Sequence, residues 1–294
     1  MPDSHSQRVF RFAPSPNGYL HLGHAYSALM NEKLSRAAGG KLLLRIEDID
    51  VGRCRPEFEE GILEDLDWLG IEFDGDVRRQ SDHFSDYALA VERLEARGLV
   101  YPCFCTRAEI ARAAGHRLDW PRDPDGAPIY PGTCKHLRDD EPALRRRGAG
   151  RYAVQRLDMN EALAEAGQRI GWCEFGESGD PRDVSGEPGV WGDVVLARKD
   201  VPASYHIAVV VDDALQGVTD VVRGADLLPA TSLHRLLQIL LGYRAPDYHH
   251  HDLVRDADGA KMSKSAWSKP LRMLRADGAT PQDVRRRLGF GVAS

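Results

Sequence analysis

The sequence predicts an α/β protein: a parallel sheet covered by helices, with a subdomain inserted between its two halves. Three observations lead there. Over the first hundred residues, short apolar runs of strand character alternate with helical patterns. From Tyr101 to about Pro188 the alternation gives way to stretches dense in Pro, Gly and Asp, at 119–132 and 176–189. From Val194 the strand–helix order returns. A chain of 294 residues, 42% of them hydrophobic, is long enough for about two such units and buries a sizeable core. The expected division is therefore 1–100 for the first half of the sheet domain and 101–190 for the insertion. Residues 191–241 form the second half and 242–294 a C-terminal segment.

Val9-Phe10-Arg11-Phe12 reads as the first strand, closed by a Pro/Asn/Gly turn at 14–18. A helix is expected over 23–38, ended by Gly39-Gly40. Residues 41–46 carry Leu42, Leu43 and Leu44, the unbroken apolar run of a buried parallel strand. Pro56 opens the next helix, with Glu57, Glu59 and Glu60 in the first turn, where the helix dipole favours anions. Its apolar positions Phe58, Ile62, Leu66 and Leu69 recur at helical spacing, and Gly70 stops it. A further helix over 81–97 turns Phe84, Tyr87, Val91 and Leu94 inward. Within the insertion, Thr106-Arg107-Ala108-Glu109 is a capping box that starts a short helix. Beyond it, 194–197, 205–211 and 218–223 read as strands and 231–241 as a helix. A polar, lysine-rich loop follows at 258–268, then a last basic helix over 281–288.

The charge balance, 39 Lys+Arg against 45 Asp+Glu, excludes a chain that grips nucleic acid over its whole surface. Contact with RNA then falls to local patches such as Arg145-Arg146-Arg147 and Arg285-Arg286-Arg287. An arginine triplet on a helix is, however, just as often a solvated face. Apolar runs such as 207–211 fall far short of the roughly 20 residues of a membrane helix. The first ten residues lack the apolar core of a secretory signal, so a cytoplasmic protein with no membrane partner is expected.

Two segments carry phosphate chemistry. In Phe12-Ala-Pro-Ser-Pro-Asn-Gly-Tyr-Leu-His21-Leu-Gly23-His24, two histidines three apart stand at a helix start after a strand and a glycine turn. Free backbone N–H groups and the positive dipole end suit phosphate there, and the imidazoles donate to phosphoryl oxygens. Gly23 permits close approach of a base or ribose. In Lys261-Met-Ser-Lys264-Ser265, two lysines with serine hydroxyls between them make a phosphate clamp. Either segment alone is weak evidence; the two in one α/β chain are specific. Of five cysteines, Cys103, Cys105 and Cys134 cluster, which favours a metal over a disulfide. Three thiolates and one further donor make a closed tetrahedral zinc site. Cys54 and Cys173 have no partner spacing.

With Arg11-Phe-Ala-Pro-Ser-Pro-Asn-Gly, His21-Leu-Gly-His24, Leu44-Arg-Ile-Glu47-Asp-Ile-Asp and Lys261-Met-Ser-Lys264-Ser, the chain resembles the class I aminoacyl-tRNA synthetases of the glutamyl group over almost its whole length. The resemblance implies a Rossmann-like catalytic domain, a zinc-containing insertion that contacts tRNA, and a short helical C-terminal segment. The chain ends 29 residues after Ser265, so no anticodon-binding domain is expected. It is therefore most similar to the truncated members that attach glutamate to queuosine in the anticodon of tRNA(Asp). ATP with Mg2+, L-glutamate and queuosine-bearing tRNA(Asp) are the implied partners, one structural Zn2+ the implied metal, and a monomer the implied state.

Matching positions imply His21, Gly23, His24 and Lys264, helped by Lys261, for ATP and catalysis. Arg11, Phe12, Ala13, Pro14, Ser15, Glu47, Tyr205 and Arg223 are implied for glutamate. The arginine forks suit carboxylates and Glu47 the α-ammonium. Glu47 and Arg223 also fall at carboxyl ends of expected parallel strands, where open α/β sheets bind ligands. Tyr130 is the implied fourth zinc ligand beside Cys103, Cys105 and Cys134. His136, a commoner donor chemically, competes for that place. The rival readings are a synthetase that charges the 3′ end, an H-x-G-H nucleotidyltransferase acting on another acid, and a paralogue that only binds tRNA.

Overall fold

A crossover unit opens the molecule: β1 (Val9–Phe12), α1 (Leu22–Ala37) and β2 (Lys41–Ile46), with β1 and β2 parallel and Phe10 opposite Leu42. The computed structural model describes residues 7–115, 119–137, 140, 143, 147–150, 153–167, 169–198, 201–253 and 269–291. After β2 come α2 (Pro56–Trp68), the two-residue β3 (Arg78–Arg79) and α3 (Phe84–Glu95). The insertion begins with β4 (Val100–Cys103) and α4 (Arg107–Gly115), and continues with β5 (Val154–Leu157) and α5 (Met159–Ala166). Next are β6 (Gly171–Phe175), β7 (Pro181–Ser185) and β8 (Val195–Ala197). The second half comprises α6 (Tyr205–Leu215), β9 (Asp220–Gly224), α7 (Leu228–Leu241) and β10 (Asp247–His251). Two short helices, α8 (Leu271–Ala276) and α9 (Pro281–Arg287), end the described chain.

The main sheet has the order β3-β2-β1-β9-β10-β6-β7, parallel throughout except for the β6–β7 hairpin. A separate antiparallel sheet has the order β4-β5-β8, drawing its last strand from beyond residue 190. The stretch 101–190 thus supplies strands to both sheets. Phe10, Leu42, Leu44 and Ile46 are buried against Leu22, Leu29, Ile62 and Leu66 of α1 and α2. Each such side chain contributes about 1.5–3 kcal/mol by leaving water, enough for this layer to fix the strand ends in space. Asn31 of α1 donates to the Val222 carbonyl at 3.1 Å, tying the helix to β9.

The structure corrects one element. Residues expected as a strand at 205–211 belong to the helix α6. Ile207, Val209, Val210 and Val211 are all nearly fully buried, between α3 on one side and α7 on the other. An apolar run covered on every side reads alike as strand or helix, so β-branched content misleads there. Strands β6 and β10 are also additions: Asp247-Tyr-His-His-His251 has no apolar run, and only its pairing with β9 and β6 makes it a strand. No helix among the described residues is long and apolar enough to cross a membrane.

Candidate active site

The carboxyl ends of β1, β2 and β9 and the start of α1 open on one cleft of about 640 Å3. Arg11, Phe12, Ala13, Pro14 and Ser15 enter it from β1 and the turn after it. His21, Gly23 and His24 enter from the helix start, Glu47 from the end of β2, Tyr205 from the first turn of α6, and Arg223 from β9. Every residue expected at the ATP and glutamate sites, other than the lysines, therefore lines a single space. Lys261 and Lys264 lie outside the described residues.

His21 is the N-cap of α1. Its Nδ1 accepts from the Gly23 amide at 3.0 Å, and His24 Nδ1 accepts from the His21 amide at 3.2 Å. The rings stack at 3.9 Å between centroids. Burial lowers the pKa of His21; burial, with His21 beside it, lowers that of His24 to about 3. With Nδ1 accepting and the ring neutral, the proton sits on Nε2, so both imidazoles are donors at neutral pH. Gly23 has a local role besides the one expected: a Cβ there would come within 2.9 Å of the His21 ring. Any side chain at that position would displace the cap.

Behind the cleft lies a charged layer invisible in the sequence. Arg45, fully buried, holds Glu47 at 3.1 Å and Asp213 at 2.8 Å. Arg11 reaches the same Asp213 oxygen at 3.2 Å. Burial pushes the Glu47 carboxyl up, outweighing the pull of Arg45 and Arg11. Asp213 is the reverse case: burial raises it, but the two arginines prevail and hold it below the usual carboxylate range. Arg223 is set differently. It donates to His250 Nε2 at 3.1 Å, His234 Nδ1 at 3.3 Å, Thr231 Oγ1 at 2.8 Å, the Leu227 carbonyl at 3.3 Å and Tyr205 Oη at 3.5 Å.

A second constellation sits in the insertion. The Cys103, Cys105 and Cys134 sulfurs lie within 4.8 Å of one another, as three metal donors would. Tyr130 Oη stands 3.5 Å from Cys105 Sγ, and the Phe104 amide donates to Cys134 Sγ at 3.3 Å. Among the described residues no histidine or carboxylate joins the three sulfurs within that span, and His136 is exposed. Against burial, the Phe104 amide and neighbouring side chains hold the Cys134 thiol below its ordinary range. Burial pushes Cys105 up despite Arg147 Nη2 at 3.3 Å from its Sγ. The set fits a zinc ion. Cys54 and Cys173 are separate free thiols.

The arginine triplets behave unlike a simple RNA patch. Arg285 is buried, donating to Glu32 and to the Leu69 carbonyl at 2.9 Å each. Arg147 is drawn to Cys105 and Glu109, and Arg145 and Arg146 lie outside the described residues.

Residues 8–292 match the family described as tRNA synthetases class I (E and Q), catalytic domain. A protein of Rhodobacter capsulatus named Glutamyl-Q tRNA(Asp) synthetase is 46% identical over 289 residues, covering 96% of this chain and all (100%) of that protein. Proteins of the same name from Nitratidesulfovibrio vulgaris and Pseudomonas aeruginosa are 41% and 39% identical, covering 93% and 98% of this chain and 83% and 93% of theirs. A solved glutamate tRNA ligase from Elizabethkingia meningosepticum superposes with a TM-score of 0.67 at 26% identity over 88% of this chain. The chain spans about half (52%) of that ligase's length. A methionyl-tRNA synthetase from Mycobacterium tuberculosis shares the fold, with a TM-score of 0.57 at 15% identity, over 96% of this chain and 64% of its own. The resemblance drawn from the motifs is borne out: the chain belongs to the class I tRNA synthetases of the E and Q type, a family of ATP-dependent ligases.

Proposed function

We propose that the chain activates L-glutamate with ATP to glutamyl-adenylate and transfers the glutamyl group to queuosine in the anticodon of tRNA(Asp), working as a cytoplasmic monomer. The observation that carries this is the single cleft in which two neutral histidine donors at a helix start face Arg11, Glu47, Tyr205 and Arg223. Glutamate brings two carboxylates and one ammonium. Arg11 and Arg223 take the carboxylates, and Glu47, at the end of β2 in the same cleft, takes the ammonium. The α-carboxylate then attacks the α-phosphate in line and pyrophosphate leaves, a reaction carried by positioning and electrostatics. Nε2–H of His21 and His24 donates to the phosphoryl oxygens as charge builds on them. Lys264, with Lys261, holds the outer phosphates, which arrive with Mg2+. In the second step a nucleoside hydroxyl attacks the glutamyl carbonyl and AMP leaves.

Exchange of labelled pyrophosphate into ATP tests the first step: it is expected with glutamate and not with glutamine or aspartate. Exchange with a different acid would make the chain another H-x-G-H nucleotidyltransferase, and exchange with none a paralogue that only binds tRNA.

The insertion holds one structural zinc through Cys103, Cys105, Cys134 and Tyr130 in this reading. Cys103 and Cys105 on one side and Tyr130 and Cys134 on the other would hold the ion, which would serve as a structural tie with no part in the chemistry. Elemental analysis of protein purified without chelator is expected to find one zinc per chain, and Cys105→Ser to lose it. Tyr130→Phe is expected to weaken retention about 10–100-fold while His136→Ala leaves it unchanged. Full zinc in Cys105→Ser, or retention that follows His136, would refute this ligand set.

A further inference from the structure

Three buried arginines stand in or behind the cleft, and they are compensated in opposite ways. Arg11 and Arg45 both reach carboxylates, Asp213 and Glu47. Arg223, only 5% exposed, has no carboxylate oxygen within 4.0 Å among the described residues. Its hydrogen-bond partners are two imidazoles, two hydroxyls and one backbone carbonyl.

Remote partners fix the polarity of both imidazoles. His250 Nδ1 lies 2.9 Å from Glu174 Oε1, which can only accept, so the proton is on Nδ1 and the Nε2 lone pair faces Arg223. Thr231 accepts from Arg223 and points its own hydroxyl hydrogen at the same His250 Nε2, 3.1 Å away. His234 Nδ1 accepts from Arg223, so its proton is on Nε2 and is donated to His206 Nδ1 at 3.2 Å. Burial first, and the Arg223 charge second, hold His234 well below its ordinary pKa. His250 is lowered by burial too, against the pull of Glu174. Both rings are therefore neutral acceptors at pH 7. A buried cation without a counter-ion is costly, and this one is held in place without being neutralised by a direct partner.

We propose that His234, Thr231 and His250 are specificity-determining positioning residues: they hold Arg223 through neutral acceptors alone, leaving its charge for a carboxylate of the substrate and against the amide of glutamine. This rests on the reading of the cleft as a glutamate site. A protein carboxylate on Arg223 would cancel its charge and repel the incoming one. The neutral set aims the fork without either effect.

The test compares substitutions matched in size and opposite in charge. His234→Gln keeps a neutral acceptor and His234→Glu supplies an anion; Thr231→Asn and Thr231→Asp repeat the comparison on the neighbouring contact. Glutamate-dependent pyrophosphate exchange is read as KM for glutamate, KM for ATP and kcat, with Tm beside them. The neutral variants are expected to keep the glutamate KM within about 3-fold, and the acidic ones to raise it about 30-fold or more. The ATP KM is expected to stay level and Tm to remain within about 5 °C. Equal effects of the two charge types, or a rise above about 10-fold in a folded His234→Gln, overturns the inference, since the ring and not its neutrality would then matter. Should His234→Glu fail to fold, the Thr231 pair decides. Wild-type protein without glutamate-dependent exchange would instead remove the underlying reading of the cleft.

Discussion

His24→Ala is expected to slow glutamate-dependent pyrophosphate exchange by about 10²–10³, and His21→Ala by a similar factor. In the proposed reaction each ring presents Nε2–H to the place where phosphoryl charge develops, and removing one preorganised donor costs about 3–4 kcal/mol in the transition state. The competing explanation is loss of the helix cap, since both rings belong to the capping box of α1. That loss costs about 1 kcal/mol, against a total stability of about 5–15 kcal/mol. More than nine molecules in ten stay folded, so unfolding cannot supply a hundredfold loss. His24→Asn, which keeps a donor, is expected to recover part of the rate. The acid limb gives an independent check. His24 is pushed down to about 3 from an ordinary value of 6.5. Its unfolded form therefore binds the proton first, and stability falls as pH drops from about 6.5 towards 3 while the folded ring stays neutral. Exchange by folded protein at pH 5 is expected to retain this donor. Near wild-type exchange in both alanine variants would remove the histidines from the ATP site.

What the sequence made legible was local. The strand–turn–helix from Val9 through His24 reads directly, because capping, turn chemistry and apolar spacing act within a few residues. Glu47 and Arg223 were placeable because they fall at strand ends, and those ends converge wherever a parallel sheet forms. The charged layer was not legible. Arg45 meets Asp213 across 168 positions and Arg11 meets it across 202, and no local pattern encodes such pairs. The same holds for the imidazoles on Arg223: His234 lies in the middle of an apolar helix and His250 in a run of three histidines. Misreading 205–211 as a strand had a physical cause too. Once α3 and α7 cover α6 on both sides, amphipathic periodicity is lost and β-branched residues dominate the local signal. Tyr205 reached the cleft regardless, since the first turn of a helix can point into it as well as a strand end.

Transfer to tRNA(Asp) is expected to be all or none with respect to queuosine, and indifferent to the 3′-terminal adenosine. The second step needs only a hydroxyl beside the glutamyl carbonyl. Two groups on such a tRNA offer a cis-diol of similar shape: the terminal ribose and the cyclopentene ring of queuosine. A guanosine in the queuosine position lacks that ring altogether, so the nucleophile itself is missing and not merely mispositioned. Even a site that only hydrogen-bonds a hydroxyl discriminates against its absence by about 10⁴–10⁵. Removing the reacting hydroxyl must do at least as much. Labelled glutamate is therefore expected to appear on tRNA(Asp) that carries queuosine but has lost its terminal adenosine, and not on intact tRNA(Asp) that lacks queuosine. The reverse outcome, in which the trimmed tRNA stays unlabelled and the queuosine-free tRNA is charged, would make the chain a synthetase of the 3′ end. The first step would be untouched by that result, because pyrophosphate exchange ends at the adenylate, before the acceptor enters.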